Sequence, residues 1–159
     1  MDRENTLIME LKDGTVVIEM LPELAPNHVA RIKELTRQGY YDGTPFHRVI
    51  PGFMAQGGDP TGTGTGGSGV KLKAEFSKEK HVRGICSMAR AASPDSADSQ
   101  FFIMFDRSPH LDGKYSVWGR VTDGMEHVDA IKAGDRMDNG VVDDPDRIIR
   151  LRVAADIEG

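Results

Sequence analysis

The chain has 159 residues, 38% of them apolar and 28% charged, with a mean hydropathy of −0.41, which describes one folded domain over 1–159 rather than a disordered tail. No run approaches the roughly 18 apolar residues of a membrane helix, and the start, MDRENTLIMELKDG, lacks a basic segment followed by an apolar one, so a cytoplasmic protein with no membrane partner is expected. The formal net charge of −5 comes without a polybasic run, which argues against nucleic acid, and the single cysteine, Cys86, excludes an internal disulfide and a cysteine-built metal cage.

Residues 7–11 and 15–21 read as strands joined by a turn at Asp13-Gly14, a strong hairpin signal. Pro26 then suits the first turn of a helix carrying Val29, Ile32 and Leu35 on one face, with Gly39 beyond its end. Strands are predicted at 46–50 and 53–57, around a Pro51-Gly52 turn. They lead into a long glycine-rich loop over 57–69, expected to be mobile and to need positive φ at several points. Further strands are predicted at 84–89, 100–105 and 117–121. A second helix carries Met125, Val128 and Ile131 between Gly124 and Gly134, and the β-branched stretch 147–153 makes a last strand. About eight strands and two helices point to a closed or nearly closed β-barrel with helices over its open ends, because closure removes exposed edges.

Most chemical motifs fail on context. GTGTGG at 62–67 has the spacing of a dinucleotide fingerprint, but a short strand-like stretch follows it instead of a helix, and no Lys-Ser/Thr ends it as in a phosphate-binding loop. Ser68 misses the nucleophile elbow because Val70 stands where glycine is needed. His28, His47, His81, His110 and His127 form no i, i+4 pair, so no metal site is expected and each reads as a surface or hydrogen-bonded core residue. The concentrated signal is FHRVIPGFMAQGGD, residues 46–59, where Arg48 shares a strand face with Phe46 and Ile50. An inward charge is ordinarily one half of an ion pair, and at this point that reading stands beside a functional one.

FHRVIPGFMAQGGD closely resembles the signature of the cyclophilin-type peptidyl-prolyl cis/trans isomerases, in the form of a short bacterial member. SQFFI at 99–103, LDGK at 111–114, GICSMA at 84–89 and VWGRV at 117–121 resemble later motifs of that family in the same order. The resemblance implies a mainly β fold: an eight-stranded antiparallel β-barrel capped by two α-helices, with a substrate groove on its outer face. It implies rotation about X-Pro bonds in peptides and in unfolded or flexible proteins, as an aid to folding, without a cofactor and as a monomer. A proline-peptide binding module with little catalysis is the alternative.

The resemblance also distributes roles. Arg48 is implied as the catalytic donor to the twisting prolyl nitrogen. Phe53, Met54, Phe102 and Leu111 are implied as the proline pocket, and Gln56, Gln100 and the backbone of Ala89 and Arg90 as peptide anchors. Alternation on the strand assigns Phe101, Ile103 and Phe105 to the core, together with Met88 and Trp118. His110 and Tyr115 stand where the best-known eukaryotic members have tryptophan and histidine, so both are expected at the groove, and weak cyclosporin binding is expected because the indole donor is missing.

Overall fold

The structure, a computed structural model, describes residues 2–157. Strand β1 (Thr6–Leu11) turns through Lys12-Asp13 into β2 (Gly14–Met20), with Leu11 opposite Gly14. Helix α1 (Pro26–Arg37) buries Val29, Ile32 and Leu35, the expected face. Its first turn lacks a cap of its own; the Glu75 carboxylate, from a distant loop, accepts from the N–H groups of Asn27 at 3.2 Å and His28 at 2.8 Å.

The remaining elements are β3 (Arg48–Ile50), β4 (Met54–Gly57), β5 (Ile85–Met88), β6 (Phe101–Met104), β7 (Val117–Asp123), α2 (Met125–Asp129) and β8 (Arg150–Val153). Several strands are shorter than the sequence suggests, because neighbouring chain takes their end groups. Phe53 N–H closes a turn on Ile50 O at 3.0 Å, and Ile148 N–H bonds Thr44 O at 2.9 Å. Helix α2 stops before Ile131, which is nonetheless buried. The chain there bends back so that Gly134 N–H reaches Val49 O at 2.9 Å.

All eight strands form one antiparallel sheet in the order β3-β4-β6-β5-β7-β2-β1-β8. Its edges, β3 and β8, share no ladder; among the described residues the chain between them is joined by isolated bridges, Pro45 to Arg147 and Arg48 to Val141. The sheet is therefore curled into a half-barrel. Helix α1 packs against β8 and β7, and α2 against β2.

The sheet separates two apolar clusters. Val49, Ala55, Phe101, Ile103, Cys86, Met88 and Trp118 belong to the main core, shared with α1, and Phe105 packs at its margin. The alternate residues Ile50, Met54, Phe102 and Met104 belong to a smaller outer cluster with Leu111 and Val117. Strands β5 and β6 are buried on both faces for this reason. The outer cluster is the floor of the candidate site.

Candidate active site

Strand register assembles the site. Arg48 of β3 stands opposite Gln56 of β4, Gln56 opposite Phe102 of β6, and Phe102 opposite Ser87 of β5, so one transverse row carries a cation, an amide, an aromatic ring and a hydroxyl. Paired residues on antiparallel strands project to the same side, which is why four positions far apart in the chain share one face.

A pocket of about 150 Å³ opens over that row. Arg48, Phe53, Met54, Gln56, Phe102 and Leu111 line it, and Ala89, Arg90 and Tyr115 complete the wall. Gln100 lies instead in an adjoining pocket of about 330 Å³, which shares Gln56, Ala89 and Arg90 with the first. His110 lines neither; it is exposed on the short turn Pro109–Leu111, its ring 5.8 Å from that of Phe53. Nine of the eleven residues singled out from the sequence thus meet in one cavity.

Arg48 is half-buried, and its hydrogen-bond partners are neutral: Nε donates to Asn139 O at 2.9 Å, Nη2 to Asn139 Oδ1 at 3.0 Å and Nη1 to Gln56 Oε1 at 3.2 Å. The ion-pair reading of this inward charge is not what the geometry holds. Burial lowers the guanidinium pKa from its ordinary value, with a smaller opposing pull from Tyr115. An arginine remains charged under such a shift, so an unneutralised donor stands at the edge of an apolar pocket.

Gln56 Nε2 donates to Gln100 Oε1 at 3.0 Å, and Gln100 Nε2 donates to the carbonyls of Gly64 and Gly66 at 2.9 and 3.1 Å. One oriented chain of hydrogen bonds therefore runs from the glycine loop to Arg48. The loop is pinned rather than loose. The buried Asp59 carboxylate accepts from Thr61 N–H and Oγ1, Gly64 N–H and Gly66 N–H at 2.7–3.1 Å. Asp98 accepts from Ser68 and Gly69 in the same way. Burial disfavours the Asp59 charge, but the bonds from Thr61, Gly66 and Gly64 prevail and hold its pKa below the usual value. Gly58, Gly62, Gly64 and Gly69 take positive φ, as the turn-rich path requires.

Behind Phe102 lies a polar layer that the sequence did not reveal. His81, fully buried, places Nδ1 3.2 Å from Asp112 Oδ1 and Nε2 2.8 Å from Ser87 Oγ, while Arg107 grips both oxygens of Asp112. The chain Ser87, His81, Asp112 has the connectivity of a nucleophile triad, but Ser87 is fully buried opposite Phe102 on the neighbouring strand and lines neither pocket. It is a backing layer: His81 stacks on Phe102 at 6.1 Å, and Phe102 meets Tyr115 edge-on at 5.5 Å. Burial lowers the His81 pKa and Asp112 raises it less, which leaves a neutral ring, whereas Arg107 and the His81 N–H hold Asp112 well below the usual carboxylate range. Asn139 is the other contributor missed; its only sequence signal is the turn dipeptide Asn139-Gly140.

The comparisons with known proteins agree with this geometry. A family model described as cyclophilin type peptidyl-prolyl cis-trans isomerase/CLD matches residues 6–153. A probable peptidyl-prolyl cis-trans isomerase of Brucella suis is 54% identical over an alignment covering 98% of this chain and 85% of the relative. The crystal structure of the cyclophilin AquaCyp293 from Hirschia baltica superposes with a TM-score of 0.88 at 32% identity, covering 99% of this chain and 77% of that one. A Cryptosporidium parvum cyclophilin type isomerase, crystallised in the presence of the dipeptide Ala-Pro, gives a TM-score of 0.84 at 32% identity, covering 93% of this chain and 98% of that one. With the match running from β1 to β8 and the signature residues gathered at one pocket, the chain belongs to the cyclophilin-type peptidyl-prolyl cis-trans isomerase family.

Proposed function

We propose that this isomerase seats the proline of an X-Pro peptide in the 150 Å³ pocket and that Arg48 donates a hydrogen bond to the prolyl nitrogen as the amide twists. The observation that carries the reading is the unneutralised guanidinium of Arg48 beside the apolar wall of Phe53, Met54, Phe102 and Leu111. Amide resonance makes a planar X-Pro bond slow to rotate, with a barrier of roughly 18–20 kcal/mol. Twisting localises the nitrogen lone pair, which then accepts a bond that the planar amide cannot, so the donor is stronger toward the transition state than toward either ground state.

A change from about 100 s to about 1 ms is roughly 10⁵-fold, or about 7 kcal/mol. One charge-assisted hydrogen bond contributes about 1.5–3 kcal/mol, less than half of that. The remainder falls to the fixed ring seat and to peptide contacts along Gln56, Tyr115 and the free backbone groups of Ala89 and Arg90; Ala89 N–H itself is taken by Gln100 O at 2.9 Å. Gln100 acts through Gln56 and the loop, since its amide hydrogens are engaged there.

The test is a proline-isomerisation assay on X-Pro peptides, for which Ala-Pro sequences are the natural probe given the dipeptide used with the Cryptosporidium relative. Wild type is expected to accelerate exchange and Arg48→Ala to lose about 10- to 150-fold of that acceleration. Tight peptide binding without acceleration in wild type would favour the binding-module alternative instead. We further propose a cytoplasmic monomer acting as one domain over 1–159; the lone, fully buried thiol of Cys86 fits a reducing compartment. Cyclosporin binding is expected to be weak, because His110 offers no indole N–H; tight binding in calorimetry contradicts that.

A further inference from the structure

The guanidinium of Arg48 has one edge fully engaged by a single residue. Asn139 presents its backbone O at 2.9 Å to Nε and its side-chain Oδ1 at 3.0 Å to Nη2. Both oxygens converge because Asn139 adopts left-handed backbone angles, φ 55° and ψ 27°, which asparagine tolerates better than most residues.

The surrounding turn imposes that conformation. Asp135 caps the turn Arg136–Asp138 by accepting from Met137 N–H at 2.9 Å, and its carbonyl accepts from Gly140 N–H at 2.8 Å. Gly140 in turn lies flat on β3: its carbonyl accepts from Val49 N–H at 2.8 Å, and a Cβ there would sit 2.5 Å from Ile50 Cγ1. The clamp is thus locked onto the very strand that carries Arg48.

We infer that Asn139 is a positioning residue for the isomerase reaction, a neutral bidentate clamp that fixes the Nε–Nη2 edge of Arg48 and so aims the remaining N–H groups at the pocket. The inference rests on the reading of Arg48 as donor. A carboxylate in the same place would hold the fork but neutralise it; two amide-type oxygens hold it and leave its charge for the reacting nitrogen. Gln56 alone, with one bond at 3.2 Å to Nη1, leaves a long side chain free to swing.

The test exploits the backbone angle. Asn139→Gly removes Oδ1 but suits the positive φ, so the melting temperature is expected to stay within about 3 °C of wild type. On an Ala-Pro peptide its kcat is expected to fall about tenfold, with KM changed less than about twofold. Asn139→Asp, which returns an oxygen to the same position but makes it a carboxylate, is expected to hold the fork and yet leave kcat about as low as in Asn139→Gly, because the guanidinium is then neutralised. Guanidinium ¹⁵N signals of Arg48 should show restricted rotation in wild type and Asn139→Asp, and free rotation in Asn139→Gly. A glycine variant with wild-type kcat, a loss confined to KM, or an aspartate variant as fast as wild type overturns the proposal. Arg48→Ala in the same assay separates the two claims: if it keeps full rate, the donor reading fails; if it is slow while Asn139→Gly is not, only the clamp fails.

Discussion

Arg48 and Phe102 divide the work of the pocket between charge and shape. Arg48 shares its side of the sheet with Ile50 and Met54, apolar neighbours that partly dehydrate it, and no acid answers it among its hydrogen-bond partners. Phe102 is 5% exposed and held between His81 behind and Tyr115 at its edge. Phe102→Ala removes that wall and opens a cavity, so it is expected to cost about 3 kcal/mol in stability and to raise KM severalfold; denaturant unfolding and the peptide assay read the two effects separately. At this scale the sequence was most legible where a residue type was out of place. An arginine in an apolar strand attracts notice, whereas Asn139, 91 positions away in the polar stretch AGDRMDNG, carries no periodicity that could tie it to Arg48. His81 is equally silent, because stacking and hydrogen bonding of a lone histidine are products of tertiary contact.

Among the elements, the glycine loop repays the closest attention, because it is ordered by acids and not by core packing. Four donors converge on Asp59, and the ordered carbonyls of Gly64 and Gly66 then fix Gln100 and, through it, Gln56. Asp59→Ala leaves those donors without an acceptor; hydrogen exchange at Gly64 and Gly66 should accelerate, and the peptide KM should rise while kcat changes less. Unchanged exchange would show that the loop is held by something else. Gly58 adds a steric condition: its φ is 91° and a Cβ would lie 2.6 Å from Ser99 O, so Gly58→Ala is expected to destabilise by about 1–3 kcal/mol in thermal unfolding. The run 57–69 is readable as a loop from its glycines, yet not as a pinned one, since the aspartates that pin it are also ordinary turn residues. Strands β5 and β6 show the converse: with both faces buried they lack alternation, and their short apolar runs between turn signals were the only guide. The end of α2 could not be read, because tertiary bonds to Val49 take over from helical spacing.

On the scale of the molecule, a single curled sheet buries a main core on one side and builds the groove on the other, so stability and activity share strands but not side chains. Three histidines link the whole fold to pH. His28, His47 and His81 are buried, and burial lowers the pKa of each. The unfolded chain takes up those protons near pH 6.5 while the folded chain resists them, so this stability is present above about pH 6.5 and is lost as pH falls below it. The urea midpoint should hold between pH 8 and 7 and decline from pH 6.5 to 5, as the unfolding free energy falls by up to about 1.4 kcal/mol per pH unit for each histidine. A flat midpoint down to pH 5 would mean that the three rings charge as readily in the fold as outside it. The half-barrel count of strands and helices was accessible from turn signals and from the family resemblance; the open edge was not, because it depends on which loops bridge β3 and β8.

The central claim is that Arg48 acts only on the twisted amide, while the rest of the groove binds the peptide and supplies the remaining acceleration. The most direct measurement is the on-enzyme interconversion rate of a saturating Ala-Pro peptide, read by NMR exchange for wild type and Arg48→Ala. The account predicts a rate about 10- to 150-fold lower in the variant, still well above the uncatalysed rate, with peptide affinity within about threefold of wild type. An undiminished on-enzyme rate with the loss appearing in affinity would contradict it.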